Sequence, residues 1–342
     1  MNRITQIKTN SGPELVDSFG RKHDYLRISL TERCNLRCSY CMPDEGIPLR
    51  DKSNFMSREE VFKIAQTFTQ LGVKKIRLTG GEPLIRKCAH DIIKDLSTLD
   101  VDLAITTNGI LVDEFINTFE ESGIKSVNVS LDSLKPERQE SISRRNYHDR
   151  IMKNIYLLLE KGFKVKLNMV VMNKVNDDEL IDFIELTKDK PLHIRFIEFM
   201  PFNGNKWDWA KGIGYDTMMS KIISHYGESP IRKFTESPNE TAKGFSLINY
   251  QGTFGIISSI TNPFCDTCNR IRVTADGKMK NCLFSANETD LLNPLRNGMN
   301  LIPLITDSIH SKKLERAGMH TSEDLHNSNT HSKNRSMIAI GG

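Results

Sequence analysis

Two groups of cysteines carry the strongest chemical signal in this chain of 342 residues. Six of the seven cysteines belong to them: Cys34, Cys38 and Cys41 in the first group, and Cys265, Cys268 and Cys282 in the second. The first group has the spacing CxxxCxxC, and the second is a CxxC pair that thirteen residues separate from a third cysteine. Three thiolates bind three irons of a cubane cluster and leave the fourth iron open. Each group therefore predicts an iron–sulfur cluster whose free iron can chelate a substrate or cofactor.

Zinc is the alternative for both groups, because structural zinc takes four ligands that usually come as two pairs. His23 is the nearby candidate for a fourth ligand of the first group, and Cys88 or a histidine would complete the second. Cys88 lies at the start of a predicted helix and receives no role, since most lone cysteines are small buried residues. The spacing favours clusters and leaves zinc as the open alternative.

Composition limits the class of protein. The chain is 38% hydrophobic and 26% charged, which is typical of globular proteins, and its net charge of +4 is too small to indicate a nucleic-acid partner. No apolar run reaches the roughly 18 residues of a membrane span. The N-terminal residues lack the apolar core of a signal peptide. We therefore expect a cytoplasmic protein that binds neither membranes nor nucleic acid, in which clustered cysteines are metal ligands rather than disulfides.

The pattern of hydrophobic residues predicts six strands that alternate with helices, of which the first helix begins with a capping box from Ser57 to Glu60. The predicted strands are Tyr25–Leu30, Lys75–Thr79, Asp102–Thr107, Ser126–Leu131, Lys164–Val171 and His193–Phe199. This alternation indicates parallel βαβ units with ligands at the carboxyl ends of the strands, where Gly80-Gly81-Glu82-Pro83 follows the second strand. Periodicity alone leaves a barrel and an open sheet as alternatives.

The alternation stops after residue 200. Four shorter strands are predicted beyond it, at Gly244–Tyr250, Thr253–Ile260, Arg270–Thr274 and Lys278–Leu283. We predict an α/β partial barrel over residues 1–200, a smaller β-containing domain with the second cluster and the substrate site over 201–310, and a mobile tail over 311–342 that ends in Gly-Gly.

The cysteine motif after the first strand resembles the radical S-adenosylmethionine (SAM) superfamily, whose fold is a partial (β/α)6 TIM-type barrel. Residues 25–43 and 265–278, with the terminal Gly-Gly, are similar to the GTP 3′,8-cyclase family within it. The resemblance covers roughly residues 15 to 285 and the last two residues. It implies two [4Fe–4S] clusters and SAM as cofactors. It also implies that a 5′-deoxyadenosyl radical takes the C3′ hydrogen of GTP and that C3′ then attacks guanine C8. The product is (8S)-3′,8-cyclo-7,8-dihydroguanosine triphosphate, in the first step of molybdenum-cofactor biosynthesis.

The resemblance also implies roles for particular residues. SAM contacts fall on Tyr40, Gly81, Ser130 and Met200. GTP contacts fall on Arg27, Arg77, Thr106, Lys166, Arg270, Ile271 and Arg272, with Lys75 and Arg195 as weaker candidates. Gly341 and Gly342 would support catalysis by entering a crowded site, as an alternative to a frayed end.

Physical reasoning about the residues supports part of this assignment. Arg270 and Arg272 alternate along one predicted strand and so face the same side. Arginine binds phosphate well, whereas any one of these charges taken alone is more often a solvated surface residue. Glu82 and free carbonyls of the Gly-Gly-Glu-Pro turn are candidate acceptors for the SAM ammonium, and a plain turn is the alternative.

Two other functions remain as alternatives. One is a radical SAM enzyme that modifies a peptide, although such relatives usually carry more cysteines in the C-terminal part of the chain. The other is a zinc-stabilised binding protein without catalysis. The family further implies an unidentified electron donor, a homodimer, and transfer of the product to a cyclic pyranopterin monophosphate synthase.

Overall fold

A computed structural model describes residues 14–43, 45–48, 50–234, 239–319 and 334–341. These residues form one sheet of twelve strands in the order β12-β11-β10-β1-β2-β3-β4-β5-β6-β9-β8-β7. The strands are β1 (Tyr25–Ser29), β2 (Lys75–Thr79), β3 (Asp102–Thr107), β4 (Ser126–Ser130), β5 (Lys164–Val171), β6 (His193–Glu198), β7 (Ile231–Lys233), β8 (Lys243–Leu247), β9 (Thr253–Ile257), β10 (Arg270–Val273), β11 (Lys278–Lys280) and β12 (Thr289–Asp290).

Ten α-helices accompany the sheet in this part of the chain. They are α1 (Arg58–Gln70), α2 (Ala89–Leu96), α3 (Val112–Glu121), α4 (Pro136–Ser143), α5 (His148–Glu160), α6 (Leu180–Glu185), α7 (Tyr215–Tyr226), α8 (Leu292–Arg296), α9 (Ile302–His310) and α10 (Met337–Ile340). None of the helices in the described ranges is long and apolar enough to cross a membrane.

The six strands β1 to β6 pair in parallel and in chain order, which confirms the predicted partial barrel. Two later strands extend this parallel set, because β10 pairs with β1 and β9 pairs with β6. The strands beyond residue 200 therefore continue the first sheet on both sides, and the division of the chain at residue 200 stays a prediction. The parallel pairing places the carboxyl ends of eight strands on one side of the sheet.

Several predicted strands end one to three residues late. The ladder nevertheless continues briefly, because Leu30 donates to the Thr79 carbonyl at 2.8 Å and Leu131 to the Asn168 carbonyl at 2.9 Å. Two segments of the predicted mobile tail pack against the body of the protein, at 311–319 and 334–341, and the stretch between them lies outside the described residues.

The core lies between the sheet and the helices that follow its strands. In α1, Val61, Ile64, Ala65 and Phe68 are buried at the spacing that places them on one face. The predicted capping box begins this helix: the Ser57 hydroxyl accepts from the Glu60 amide, and the Glu60 carboxylate accepts from the Ser57 amide. Local sequence thus determines where the helix starts, and its apolar face determines how it packs.

We expect Ser57→Ala to loosen the first turn of α1 while leaving the fold intact. Loss of an N-cap side chain costs about 1 kcal/mol, which corresponds to about fivefold faster amide exchange where that turn opens locally. Hydrogen-exchange mass spectrometry of peptides that cover residues 57–62 measures this change. Ser141→Ala, at an exposed position of α4, is the control and should not alter the exchange of α1. Unchanged exchange in the Ser57 variant would contradict the capping role.

Candidate active site

One cavity of about 310 Å³ opens at the carboxyl ends of the parallel strands. All six grouped cysteines line it: Cys34, Cys38, Cys41, Cys265, Cys268 and Cys282. The two groups are more than 220 residues apart along the chain, and the pairing of β10 with β1 brings them together. Both predicted clusters thus face the same space.

The loop after β1 positions the first three cysteines. Cys41 donates its amide to the Cys38 carbonyl at 3.0 Å, which closes a turn, and Arg37 donates to the Ser143 carbonyl at the end of α4. The turn at Gly81 packs directly beneath this loop: Glu82 donates its amide to the Arg33 carbonyl at 2.8 Å. A Cβ atom at Gly81 would overlap that same carbonyl group. Glycine is therefore required at residue 81 by the close approach of two backbones.

The Cys34 thiol fits a cluster ligand because N–H groups point at its sulfur. The Leu36 amide lies 3.4 Å from the Cys34 sulfur, and the Asn108 side-chain nitrogen lies 3.9 Å from it. Burial raises the pKa of Cys34 to about 12, so the free thiol stays protonated, and metal binding is what yields the thiolate. Donors to cluster sulfurs are also among the factors that set redox potential.

The second group lies in a positive environment. The Lys312 ammonium donates to the Cys268 sulfur at 3.3 Å and to the Arg270 carbonyl at 3.2 Å. Burial raises the pKa of Cys268, but the charges of Arg270 and Lys312 outweigh it and bring that pKa to about 6. Arg21 donates to the Cys265 carbonyl at 2.8 Å and so anchors the loop. The donor set suits a thiolate-ligated cluster.

The candidate fourth ligands for zinc are occupied elsewhere. His23 is buried and shares a hydrogen bond of 3.0 Å with Asp17, away from the cavity lining. Cys88 precedes α2 and packs against the core, and it also lies outside the lining. Among the described residues, no group of three or more histidine, cysteine or acidic side chains is arranged to hold a single metal ion.

Three arginines stand in register across neighbouring strands near the cavity. Arg27 on β1 is the Cα partner of Arg272 on β10 and of Arg77 on β2, and we call these three residues the arginine row. Arg27 and Arg272 line the cavity together with Arg270, as predicted from their alternation, whereas Arg77 does not. Burial and the charge of Arg270 lower the pKa of Arg272 to about 10. Like charges this close repel, so the row is prepared for an anion.

Arg77 is held below the cavity by two bonds. Its Nε donates to the Tyr25 hydroxyl at 2.5 Å, and its Nη1 donates to the Ile105 carbonyl at 2.8 Å. Burial raises the pKa of Tyr25, but the charges of Arg77 and Arg27 outweigh it and bring that pKa to about 7. Tyr25 is therefore a compensating group inside the arginine row.

A second basic pair lies on β5 and β6. The Arg195 guanidinium lies 2.8 Å from the Glu240 carboxylate, and the Lys166 ammonium lies 3.7 Å from the same oxygen. Burial and the charge of Arg195 lower the pKa of Lys166 to about 8. Arg195 lines the cavity, whereas Lys166 and Lys75 do not. One carboxylate thus balances two predicted substrate contacts.

Unpaired acceptors occupy the cavity wall between these basic groups. Thr106 Oγ1, Asn128 Oδ1 and Asn168 Oδ1 are buried without a hydrogen-bond partner in the described residues. All three residues line the cavity, and Thr106 and Asn128 are Cα partners on β3 and β4. Buried polar atoms normally have partners, so this wall is suited to a polar ligand.

The predicted SAM contacts lie on the same cavity: Tyr40, Gly81, Ser130 and Met200. The Tyr40 hydroxyl donates to the Asp132 carboxylate at 2.9 Å, and that carboxylate also accepts from the Val170 amide at 3.0 Å. The predicted role of Glu82 is not supported, since its carboxylate lies outside the lining. It instead accepts from the Asn108 and Leu84 amides and from the Thr107 hydroxyl.

The structure gives further detail on three other predicted residues, Ile271, Gly341 and Gly342. Ile271 has a fully buried side chain in the core, on the face opposite Arg270 and Arg272, so a side-chain contact with substrate is excluded. Gly341 lies beside β1 and β2, with φ of +85°, and a Cβ there would come within 2.7 Å of Ser29 and 2.8 Å of Thr79. Gly342 lies outside the described residues.

The Gly341 carbonyl accepts from Arg272 Nη1 at 2.9 Å. A residue near the end of the chain thus meets one end of the arginine row.

Comparison with known proteins matches both halves of the chain. The Radical SAM superfamily profile matches residues 28–187, and the profile described as Molybdenum Cofactor Synthesis C matches residues 192–317. The chain is 46% identical to "GTP 3′,8-cyclase, mitochondrial" of Arabidopsis thaliana, over 100% of this chain and 87% of that protein. It is 40% identical to "GTP 3′,8-cyclase" of Peptoclostridium acidaminophilum, over 89% of this chain and 93% of that protein.

The chain belongs to the GTP 3′,8-cyclase family. It is also 44% identical to "Molybdenum cofactor biosynthesis protein 1" of Homo sapiens, over 95% of this chain and 51% of that protein, so it spans about half of the human relative. These matches confirm three predictions: the family, the assignment as an enzyme, and SAM with two [4Fe–4S] clusters as cofactors.

A solved structure supports the fold. The crystal structure of Streptococcus suis SuiB bound to S-adenosylmethionine has a TM-score of 0.60 to this chain at 14% identity, covering 93% of this chain and 72% of that one. A similarity at this identity shows the shared fold alone.

Some residues of this cyclase-family site received no individual role from sequence reasoning. Asn108 and Asp132 follow strands β3 and β4, and their position after strand ends was the available signal. Asn128 and Asn168 lie inside strands as unpaired polar residues. Glu240 lies in a loop and carries no local signal.

We expect Tyr25 to ionise near pH 7 in this member of the cyclase family, because Arg77 and Arg27 favour the phenolate. The difference in absorbance at 295 nm between the wild type and Tyr25→Phe should rise through that pH, with cluster absorption cancelling. In an Arg77→Gln background the step should move toward the ordinary value of about 10. Tyr147→Phe, at an exposed tyrosine, should not remove the step near pH 7. A step that stays near pH 10 in the wild type would contradict this pairing.

Proposed function

We propose that this chain converts GTP to (8S)-3′,8-cyclo-7,8-dihydroguanosine 5′-triphosphate. One observation carries the proposal: a single cavity is lined by both three-cysteine groups and by Arg27, Arg270 and Arg272. A site for two clusters and a site for a polyanion therefore adjoin each other. The names of the relatives agree with this reaction.

The two cysteine groups have different roles in this proposal. Cys34, Cys38 and Cys41 would hold the cluster that binds SAM, and Cys265, Cys268 and Cys282 the cluster that faces the substrate. When bound, the clusters and SAM would supply the electron that cleaves SAM and the 5′-deoxyadenosyl radical that takes the C3′ hydrogen of GTP before C3′ bonds to C8. The protein's own part is to orient both ligands and to exclude water from the cavity.

For SAM, the residues on the cavity wall offer polar and apolar contacts at separate places. Ser130 ends β4 and offers a hydroxyl for a ribose, while Met200 offers an apolar surface for an adenine ring. Tyr40 is fixed by its bond to Asp132, which holds the ring beside the first cysteine loop. Gly81 allows the loop to approach without a side chain in the way.

For GTP, the triphosphate has a preformed cationic surface. Arg27, Arg270 and Arg272 offer guanidinium forks on adjoining strands, which suit phosphate oxygens. Arg77 supports them from below through Tyr25. Lys166 and Arg195 add charge on the opposite side once Glu240 releases them to the incoming anion. Thr106 adds an unpaired hydroxyl between the two basic groups.

Gly341 completes the enclosure. Its carbonyl bonds to Arg272, and only a residue without a side chain fits between Ser29 and Thr79. A backbone segment at this place orients Arg272 and limits solvent access to the reacting nucleotide. Gly342 is proposed to act with it. Exclusion of water matters here because a carbon radical must reach C8 before it is quenched.

Peptide modification is the alternative that the sequence left open. The arginine row argues for a polyanion instead, because guanidinium forks match phosphate oxygens better than the neutral groups of a peptide.

The deciding experiment incubates anaerobically reconstituted protein with SAM, GTP and dithionite, followed by mass spectrometry. We expect 5′-deoxyadenosine and the cyclised nucleotide in equal amounts, with iron and sulfide bound. Cys34→Ala should abolish both products, whereas Cys88→Ala should retain both because Cys88 lies outside the cavity. Zinc without iron and sulfide, or 5′-deoxyadenosine whose formation is independent of GTP, would reject the proposal.

Two substitutions should move GTP affinity in opposite directions. Arg270→Ala removes a cation from the phosphate surface and should weaken GTP binding at least about tenfold. Glu240→Gln removes the competing carboxylate and should strengthen GTP binding by about threefold. Equilibrium binding of GTP to the anaerobic protein measures both, with SAM affinity as the internal control. If both variants bind GTP as the wild type does, the phosphate surface has been placed wrongly.

We further propose that the protein works in the cytoplasm, as a homodimer, with a one-electron donor and with transfer of its product to a cyclic pyranopterin monophosphate synthase. The cytoplasmic location is a prediction from the sequence, and the other three points are predictions from the family.

A further inference from the structure

Residues 334–341 form a short segment that ends at the cavity. Ile338 and Ile340 of α10 are buried, Met337 lines the cavity, and Gly341 reaches Arg272. The segment contains one charged residue, Arg335, which lies just before the helix. Arg335 is therefore the residue of this segment that can form ion pairs with the rest of the protein.

Arg335 is held by two acidic side chains of the second half of the chain. Its Nη1 donates to both carboxylate oxygens of Asp276 at 2.9 Å, and its Nη2 donates to Glu288 at 2.5 Å. Asp276 belongs to the hairpin between β10 and β11, and its exposed fraction is 6%. An arginine that bonds two part-buried carboxylates has little freedom to move.

The preceding residue reinforces this anchor. Asn334 accepts from the buried Lys280 ammonium at 3.0 Å and donates to the Leu283 carbonyl at 3.1 Å. Leu283 directly follows Cys282, so the segment is fixed to the loop that carries the third cysteine of the second group.

The same carboxylate connects the segment to the first cysteine loop. Arg50 donates to Asp276 at 3.0 Å and also pairs with Glu32, which lies two residues before Cys34. Glu32 is itself 3.7 Å from Arg335. One cluster of charges thus joins the loop of the first cluster, the β10–β11 hairpin and residues 334–341.

We propose that Arg335 is a positioning residue: its bonds to Asp276 and Glu288 hold residues 336–341 so that the Gly341 carbonyl meets Arg272 at the substrate cavity. The effect of Arg335 on product formation rests on the proposed function. Its effect on the position of the segment does not. Loss of the Arg335 bonds would leave the segment held by the bonds of Asn334 and by the buried side chains of Ile338 and Ile340, and Arg272 would lose its backbone partner.

The test compares two arginines that share the same carboxylates. Arg335→Met removes the anchor, whereas Arg50→Met removes an equal charge from Asp276 and Glu32 without touching the segment. Hydrogen-exchange mass spectrometry of the reconstituted holoenzyme follows the amides of residues 336–341. We expect about tenfold faster exchange there in Arg335→Met, an intermediate value in Arg335→Lys, and no change in Arg50→Met. Unchanged exchange in Arg335→Met, or equal increases in both methionine variants, would overturn the proposal.

Product analysis links the anchor to Gly341. In Arg335→Met, cyclised nucleotide per 5′-deoxyadenosine should fall at least about tenfold, since SAM cleavage does not need the segment. The double variant Arg335→Met/Gly341→Ala should form at least as much cyclised nucleotide per 5′-deoxyadenosine as the poorer single variant, because both substitutions disrupt the same contact between Gly341 and Arg272. Additive losses would overturn positioning through Gly341. Wild-type protein that yields no cyclised nucleotide would instead reject the proposed function, and the exchange result would still stand.

Discussion

The row of Arg272, Arg27 and Arg77 across three adjacent strands is the constraint to which much of the site responds. Three guanidinium groups in register repel one another, and two of them line a cavity where water cannot fully screen them. The chain compensates locally, with the Tyr25 hydroxyl and the Ile105 carbonyl at Arg77 and the Gly341 carbonyl at Arg272. An anionic ligand at the cavity would add further compensation. The bonds of Arg77 and Arg272 thus allow the row to fold, and its positive charge allows it to bind an anionic ligand.

Local compensation of positive charge also explains two carboxylates of the structure. Glu240 pairs with Lys166 and Arg195, and Asp276 pairs with Arg50 and Arg335. Glu240 thus balances two predicted substrate contacts, whereas Asp276 holds two arginines that connect the first cysteine loop to residues 334–341.

Local features of the sequence were enough for the cysteine loop, the six parallel strands and the shared face of Arg270 and Arg272. Each depends on residues within one element or one loop, as does the capping box at Ser57. The meeting of the two cysteine groups at one cavity depends on β10 pairing with β1, and no periodicity encodes that contact. Glu82 was misjudged because its carboxylate is taken by Asn108, which is distant in sequence, and Arg335 was missed because its partner Asp276 is 59 residues away.

The place of β1 in the sheet also has a consequence for how the protein is made. β1 is the first strand of the sheet along the chain, yet one of its edges pairs with β10, and the neighbouring contact from Asp24 to Asn269 spans 245 residues. At ordinary rates of translation that edge waits about 10 to 50 s for its partner. During this time an unpaired strand edge with Arg27 on it is exposed, although its positive charge discourages pairing with other chains. Completion of the cavity is therefore limited by the arrival of β10, and a chain released before residue 273 would leave this edge open.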